Sequence, residues 1–241
     1  MTSGPVVDTP SASEFMREIL DRVSAEELAE ISGRVAAKSD SFRHLLLDST
    51  PGREELRAVL RQVFALRRRA DAIIDDLGAA ALAAGTADLL DGPGGLVDRF
   101  ARFDQMLGEH ATVAFDLPGE ILHYTDPGRY WLWTRWMWNP RTETGALRLV
   151  TMEELDLTRA SRGQTYLAVG EAMSFVDETG RAAGFTALGS EGFGLDVYLA
   201  SVYGVYLYTV LRMRMTQEFT RIVPALPDLT RRLLGVYHRE G

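Results

Sequence analysis

The sequence predicts a mainly α fold: a single-domain helical bundle with an irregular, aromatic-rich middle and room for one short hairpin. Three observations predict it. Apolar residues recur at spacings of three and four through the first half of the chain, cap signatures stand ahead of those runs, and Val197 to Leu211 carries no charge at all. Residues 1–10, interrupted by Pro5 and Pro10, are expected to be a disordered tail, followed by one helical domain over 11–241 with a soft boundary near Gly108.

Taken in order, Ser11 to Val23 places Phe15, Ile19, Leu20 and Val23 on one helix face. Ser24-Ala25-Glu26-Glu27 has the capping-box pattern, in which a serine hydroxyl and a glutamate carboxylate satisfy each other's backbone amides. Leu28, Ile31 and Val35 continue behind it. Thr50-Pro51 reads as a cap followed by proline at the first helical position. A long seam follows, Leu56, Val59, Val63, Leu66, Ala70, Ile73 and Leu77, which predicts one core-facing helix up to Gly78. After a turn at Gly92-Pro93-Gly94-Gly95, Leu96, Phe100, Phe103 and Leu107 mark another helix.

The middle is punctuated by Pro118, Pro127 and Pro140, and Thr144 to Val150 could pair as a short strand. Val169, Met173 and Val176 suggest a helix ended by Gly180, with a hairpin between Tyr166 and Thr179 as the other option. A glycine-rich loop precedes the uncharged run. That run is about 15 residues long, short of the roughly 20 that a bilayer requires, and reads as a buried central helix. Pro224 and Pro227 then break the chain before a short final helix capped by Asp228.

Composition bounds the function. No cysteine is present, which removes disulfides, thiolate metal sites and cysteine nucleophiles and fits a reducing, cytoplasmic compartment. The opening residues lack the basic and apolar regions of a signal peptide. A net charge of −8 disfavours extended contact with nucleic acid or anionic membrane. Lys38 is the only lysine among the 26 basic residues.

All four tryptophans fall within Tyr130-Trp131-Leu132-Trp133-Thr134-Arg135-Trp136-Met137-Trp138. In a helix or in a strand, so short a stretch turns aromatic rings in two directions, and one side then needs something beyond the local core. Between Arg129 and Arg148 there are four arginines and one acid, Glu143. Trp, Tyr and Arg dominate the energetic centres of protein interfaces. The leading expectation is therefore a non-catalytic accessory protein that docks a protein partner, or a second copy of itself, through Tyr124, Arg129, Tyr130, Trp131, Trp133, Arg135, Trp136, Trp138 and Arg141.

The competing expectation is an enzyme or small-ligand protein with a pocket around Glu120, His123, Tyr124, Asp126, Arg129 and Arg135. Its catalytic candidates are His123, Glu120 and Asp126, because that neighbourhood holds acid–base types. Nucleic-acid binding through the same arginines is a third reading. Glu120-x-x-His123 occurs once, where a di-iron bundle needs two such pairs and two further glutamates, so no metal and no cofactor is implied. Asp71, Asp75 and Asp76 read as an ion-pair face with Arg67 and Arg68. Three consecutive arginines, Arg67-Arg68-Arg69, would fan around a helix at about 100° per residue and read as a solvated face.

Overall fold

The computed structural model describes residues 6–184, 192–214 and 224–237. It is mainly α, with eleven α-helices, one 3-10 turn and no β pairing beyond two isolated bridges among the described residues. Met1 to Pro5, Gly189 to Glu191 in the glycine-rich loop, and His238 lie outside the described residues.

The chain begins its structure earlier than its prolines suggest. Val7 is buried and bridges antiparallel to Thr151, so the expected tail ends before it. Asp8 then caps α1 (Thr9–Leu20) by accepting from the Ser11 amide at 3.2 Å, with Pro10 in the first turn, where a missing N–H costs nothing. Ser24 and Glu27 form the reciprocal capping box at the start of α2 (Ala25–Leu47), both bonds at 3.1 Å. The next cap falls at Gly52 rather than Thr50, because Glu55 reaches back to the Gly52 amide at 3.0 Å, and α3 spans Arg53–Gln62.

The long seam keeps its burial but not its continuity. Leu56, Val59, Val63, Leu66, Ala70 and Ile73 are all buried, yet turns over Val63–Arg69 separate α3 from α4 (Ala70–Leu77). No proline or glycine marks that break. The rest of the order is α5 (Ala79–Asp91), α6 (Leu96–Leu107), a 3-10 turn (Gly108–Thr112), α7 (Leu117–Thr125), α8 (Ala146–Val150), α9 (Arg162–Ala183), α10 (Gly194–Arg214) and α11 (Leu226–Leu233). The expected strand at Thr144–Val150 is corrected to α8, with only Thr144 bridged, to Asn139. The hairpin option at Tyr166–Thr179 is corrected to α9, which passes through Gly180 because Val169, Met173 and Val176 bury one continuous helical face.

Packing divides the chain into two compact units. The first comprises residues up to Val35, Trp136–Asp156 and the chain from Ala172 onward, and in it α10 packs on α1, α8 and α11. Tyr198 of α10 donates to the Ala12 carbonyl at 2.9 Å. Helix α10 is sealed from Leu195 to Val202, Asp196 included, but reaches solvent further on, at Tyr206. The second unit comprises Ala36–Arg135 and Leu157–Glu171, with α5 against α6, α7 and α4. Phe42, Leu60, Leu66, Phe100, Phe103, Leu107 and Leu122 fill it, each buried side chain contributing about 1.5–3 kcal/mol. Gly108 sits inside this unit and marks no division. No helix among the described residues is long and apolar enough to cross a membrane.

Candidate functional site

The tryptophan segment is neither helix nor strand. It is irregular from Tyr130 to Thr134 and turns over Arg135–Met137. In the second unit, α7 supports it at close range. A Cβ on Gly119 would strike the Trp133 carbonyl, so only glycine lets the first turn of α7 lie against the segment's backbone. Asp116, just ahead of α7, accepts from the Arg135 amide at 2.8 Å and from its guanidinium at 3.3 Å, and Arg135 also donates to the Thr112 and Val113 carbonyls. Tyr166 donates to the Trp131 carbonyl at 2.9 Å. Burial pushes the Tyr166 phenol well above its ordinary range, so it stays a donor.

These bonds decide where the rings go. Trp133 enters the core of the second unit, with its ring 4.8 Å from Phe115, 6.2 Å from Phe100 and 6.1 Å from Tyr166. Trp136 and Trp138 are buried in the first unit, where the Trp136 indole donates to the Leu233 carbonyl at 3.1 Å and stacks loosely near Tyr203. The segment thus contributes Trp133 to the second unit and Trp136 and Trp138 to the first. Of the partner-binding candidates, Tyr124, Tyr130, Trp133, Trp136 and Trp138 are buried and present no docking surface. Arg135 is half-buried and spent on Asp116. Arg129 and Arg141 are exposed, and Trp131 is partly exposed.

Trp131 lies over α9. Its ring sits where a Cβ on Gly170 would come within 2.9 Å, so the missing side chain seats the indole. Leu167, three residues earlier on the same helix and thus on the neighbouring surface, is 49% exposed. Arg129, two residues before Trp131, lays its guanidinium 5.1 Å over the Tyr130 ring.

The catalytic candidates separate. Glu120 and His123 are buried on α7, whereas Asp126 is at the surface. Glu120 meets Lys38 of α2 at 2.6 Å, with both side chains almost wholly out of solvent. The Lys38 ammonium also donates to the Gln62 carbonyl at 2.9 Å and sits 4.3 Å over the Tyr124 ring. Burial raises the Glu120 carboxyl from 4.5 to about 7, and Lys38 offsets only part of that. His123 shares a 2.8 Å bond with the Tyr130 carbonyl, and since a carbonyl only accepts, its Nδ1 carries the proton. Ser39 donates to the Tyr124 carbonyl at 2.8 Å, satisfying an orphan group at the end of α7. The cluster thus ties α2 to α7. Sequence reasoning did not place Lys38 there; its being the chain's only lysine was the available signal.

Asp71 and Asp75 do form an ion-pair face, but with different partners. Arg57, Arg61 and Arg53 of α3 hold them, and among the described residues no ion pair joins them to Arg67 or Arg68. Asp76 pairs with His110. No group of three or more His, Asp or Glu among the described residues is placed to hold a metal ion. No protein-family model, no curated protein and no solved structure matches this chain.

Proposed function

We propose that this protein is a non-catalytic accessory protein that docks a protein partner, and that the docking face is what remains exposed of the tryptophan segment: Trp131 with Arg129, beside Leu167. The observation that carries this reading is that Trp131, alone of the four tryptophans, keeps access to solvent next to an exposed leucine. A large aromatic anchor with an arginine at its side is the combination that supplies most of the binding energy at protein interfaces. The buried Lys38–Glu120 pair is read as scaffold that ties α2 to α7.

The test compares the tagged protein with a Trp131→Ser/Leu167→Ser variant purified under native conditions. A partner that travels stoichiometrically with the parent and is lost from the folded variant supports the reading. A folded variant that retains the same partner, or a parent that purifies alone, overturns it.

A further inference from the structure

Lysine side chains are the amines on which acyl groups are placed, and this sequence holds one lysine among its 26 basic residues. Side chains of that kind almost always reach water. Lys38 does not. It lies in α2 with 3% of its surface exposed. Its Nζ meets the Glu120 carboxylate of α7 at 2.6 Å and donates to the Gln62 carbonyl, at the end of α3, at 2.9 Å. The Tyr124 and Phe42 rings stand 4.3 and 5.5 Å from it and meet each other edge to face at 5.3 Å. Ser39, the next residue of α2, is also buried and donates to the Tyr124 carbonyl at 2.8 Å.

This setting suppresses the chemistry of the amine in two ways. An acyl carbon is attacked by the lone pair of a neutral amine, and the Glu120 carboxylate keeps the proton on Nζ. The acyl carbon must also come within bonding distance, and that space is filled by α3, α7 and two rings. Both obstacles lift when α2 parts from α3 and α7. A chain with surface lysines takes acyl groups on folded molecules. Here the one acceptor lysine is confined to position 38, and so to molecules that have opened locally. The reverse step is blocked as well. An acyl group enlarges a side chain whose site has ring and helix for walls, and it removes the cation that pairs with Glu120, leaving that carboxyl buried without it.

We propose that Lys38 is a fold-gated acyl acceptor: it takes an activated acyl group of the thioester class only when α2 has parted from α3 and α7, and the amide formed bars the chain from closing again. In that step the bond between Nζ and the acyl carbon forms and the carbon–sulfur bond breaks. The ammonium gives up two protons, one to solvent and one to the departing thiolate, which leaves as a thiol. The site uses none of the residues of the Trp131 face and does not depend on it.

The probe is sulfosuccinimidyl acetate, an active ester attacked at the same carbonyl carbon, applied to the full chain in buffer and in urea. The mass of the peptide carrying residue 38 gives the rate of acetylation. The reaction in buffer should be at least about a hundredfold slower than in urea, since it follows the population of the open form. A smaller ratio overturns the shielding. Chain acetylated in urea and then diluted should not recover the thermal unfolding transition of the parent. Chain treated while folded, then passed through urea, is the control for acetylation elsewhere and should recover it. Recovery by both overturns the barrier to closing. Where untreated parent does not refold from urea, Lys38→Nε-acetyllysine is installed during synthesis instead, and a folded yield equal to the parent's overturns it.

Discussion

Tyr130–Trp138 and Val63–Arg69 are the two stretches whose composition departs most from the rest of the chain, and they end in opposite places. The first crowds indoles and hides three of the four. The second crowds arginines and exposes all three, on a turn where Val63 and Leu66 are sealed and Phe64 is exposed. The contrast follows from what each side chain loses on burial. An indole gains from leaving water and asks for one hydrogen bond, which the Leu233 carbonyl gives Trp136. A guanidinium taken from water needs several acceptors at once, as Arg135 finds in Asp116 and two carbonyls. Unusual composition therefore points to a surface only where burial has no compensation.

The comparison breaks most readily at Trp133. Trp133→Ala should cost about 3–5 kcal/mol in denaturant unfolding, since it empties the centre of an aromatic cluster; a loss below about 1 kcal/mol would show that the ring is not core. Glu120→Leu should cost a similar 3–5 kcal/mol because it strands the Lys38 ammonium out of water, and adding Lys38→Met should restore most of it. A double variant as unstable as the single one would show that the pair is not the reason.

The same pair predicts a pH effect of definite sign. Folding raises the Glu120 carboxyl from 4.5 to about 7, so the folded state holds that proton more tightly. Its stabilising contribution is complete below about pH 4.5 and is lost as pH rises through about 7. Melting temperatures across this window should fall in the parent relative to Glu120→Gln, in which no carboxyl titrates; parallel curves would contradict it.

Trp131→Ala should cost less than about 2 kcal/mol, because its ring is already partly in solvent. Arg67→Ala, Arg68→Ala and Arg69→Ala should each shift stability by no more than about 0.5 kcal/mol in thermal unfolding, the smallest effects of the set. A large destabilisation from any of them would mean that the turn is a structural strut and sharpen the contrast the other way.

Much of the fold is legible locally. The Ser24–Glu27 box, the helix from Leu96 to Leu107 and the buried faces at Val169, Met173 and Val176 all follow from residues within one or two turns of each other. The candidate face was legible as composition but not as residues. Trp133, Trp136 and Trp138 have the same sequence credentials as Trp131, and only long-range contacts distinguish them. The Lys38–Glu120 contact joins positions 82 apart in the chain, which no local pattern could join.

By itself the sequence determined the helical class, the starts of α2 and α6 and the apolar seam from Leu56 to Ile73, because period and capping are matters of neighbours. The tertiary structure alone decided that the seam breaks at Val63, that one aromatic segment feeds two cores, and that Asp71 and Asp75 pair with arginines of α3. Each of those outcomes depends on which distant groups arrive to exclude water or offer a charge, and that is fixed only when the chain has closed on itself.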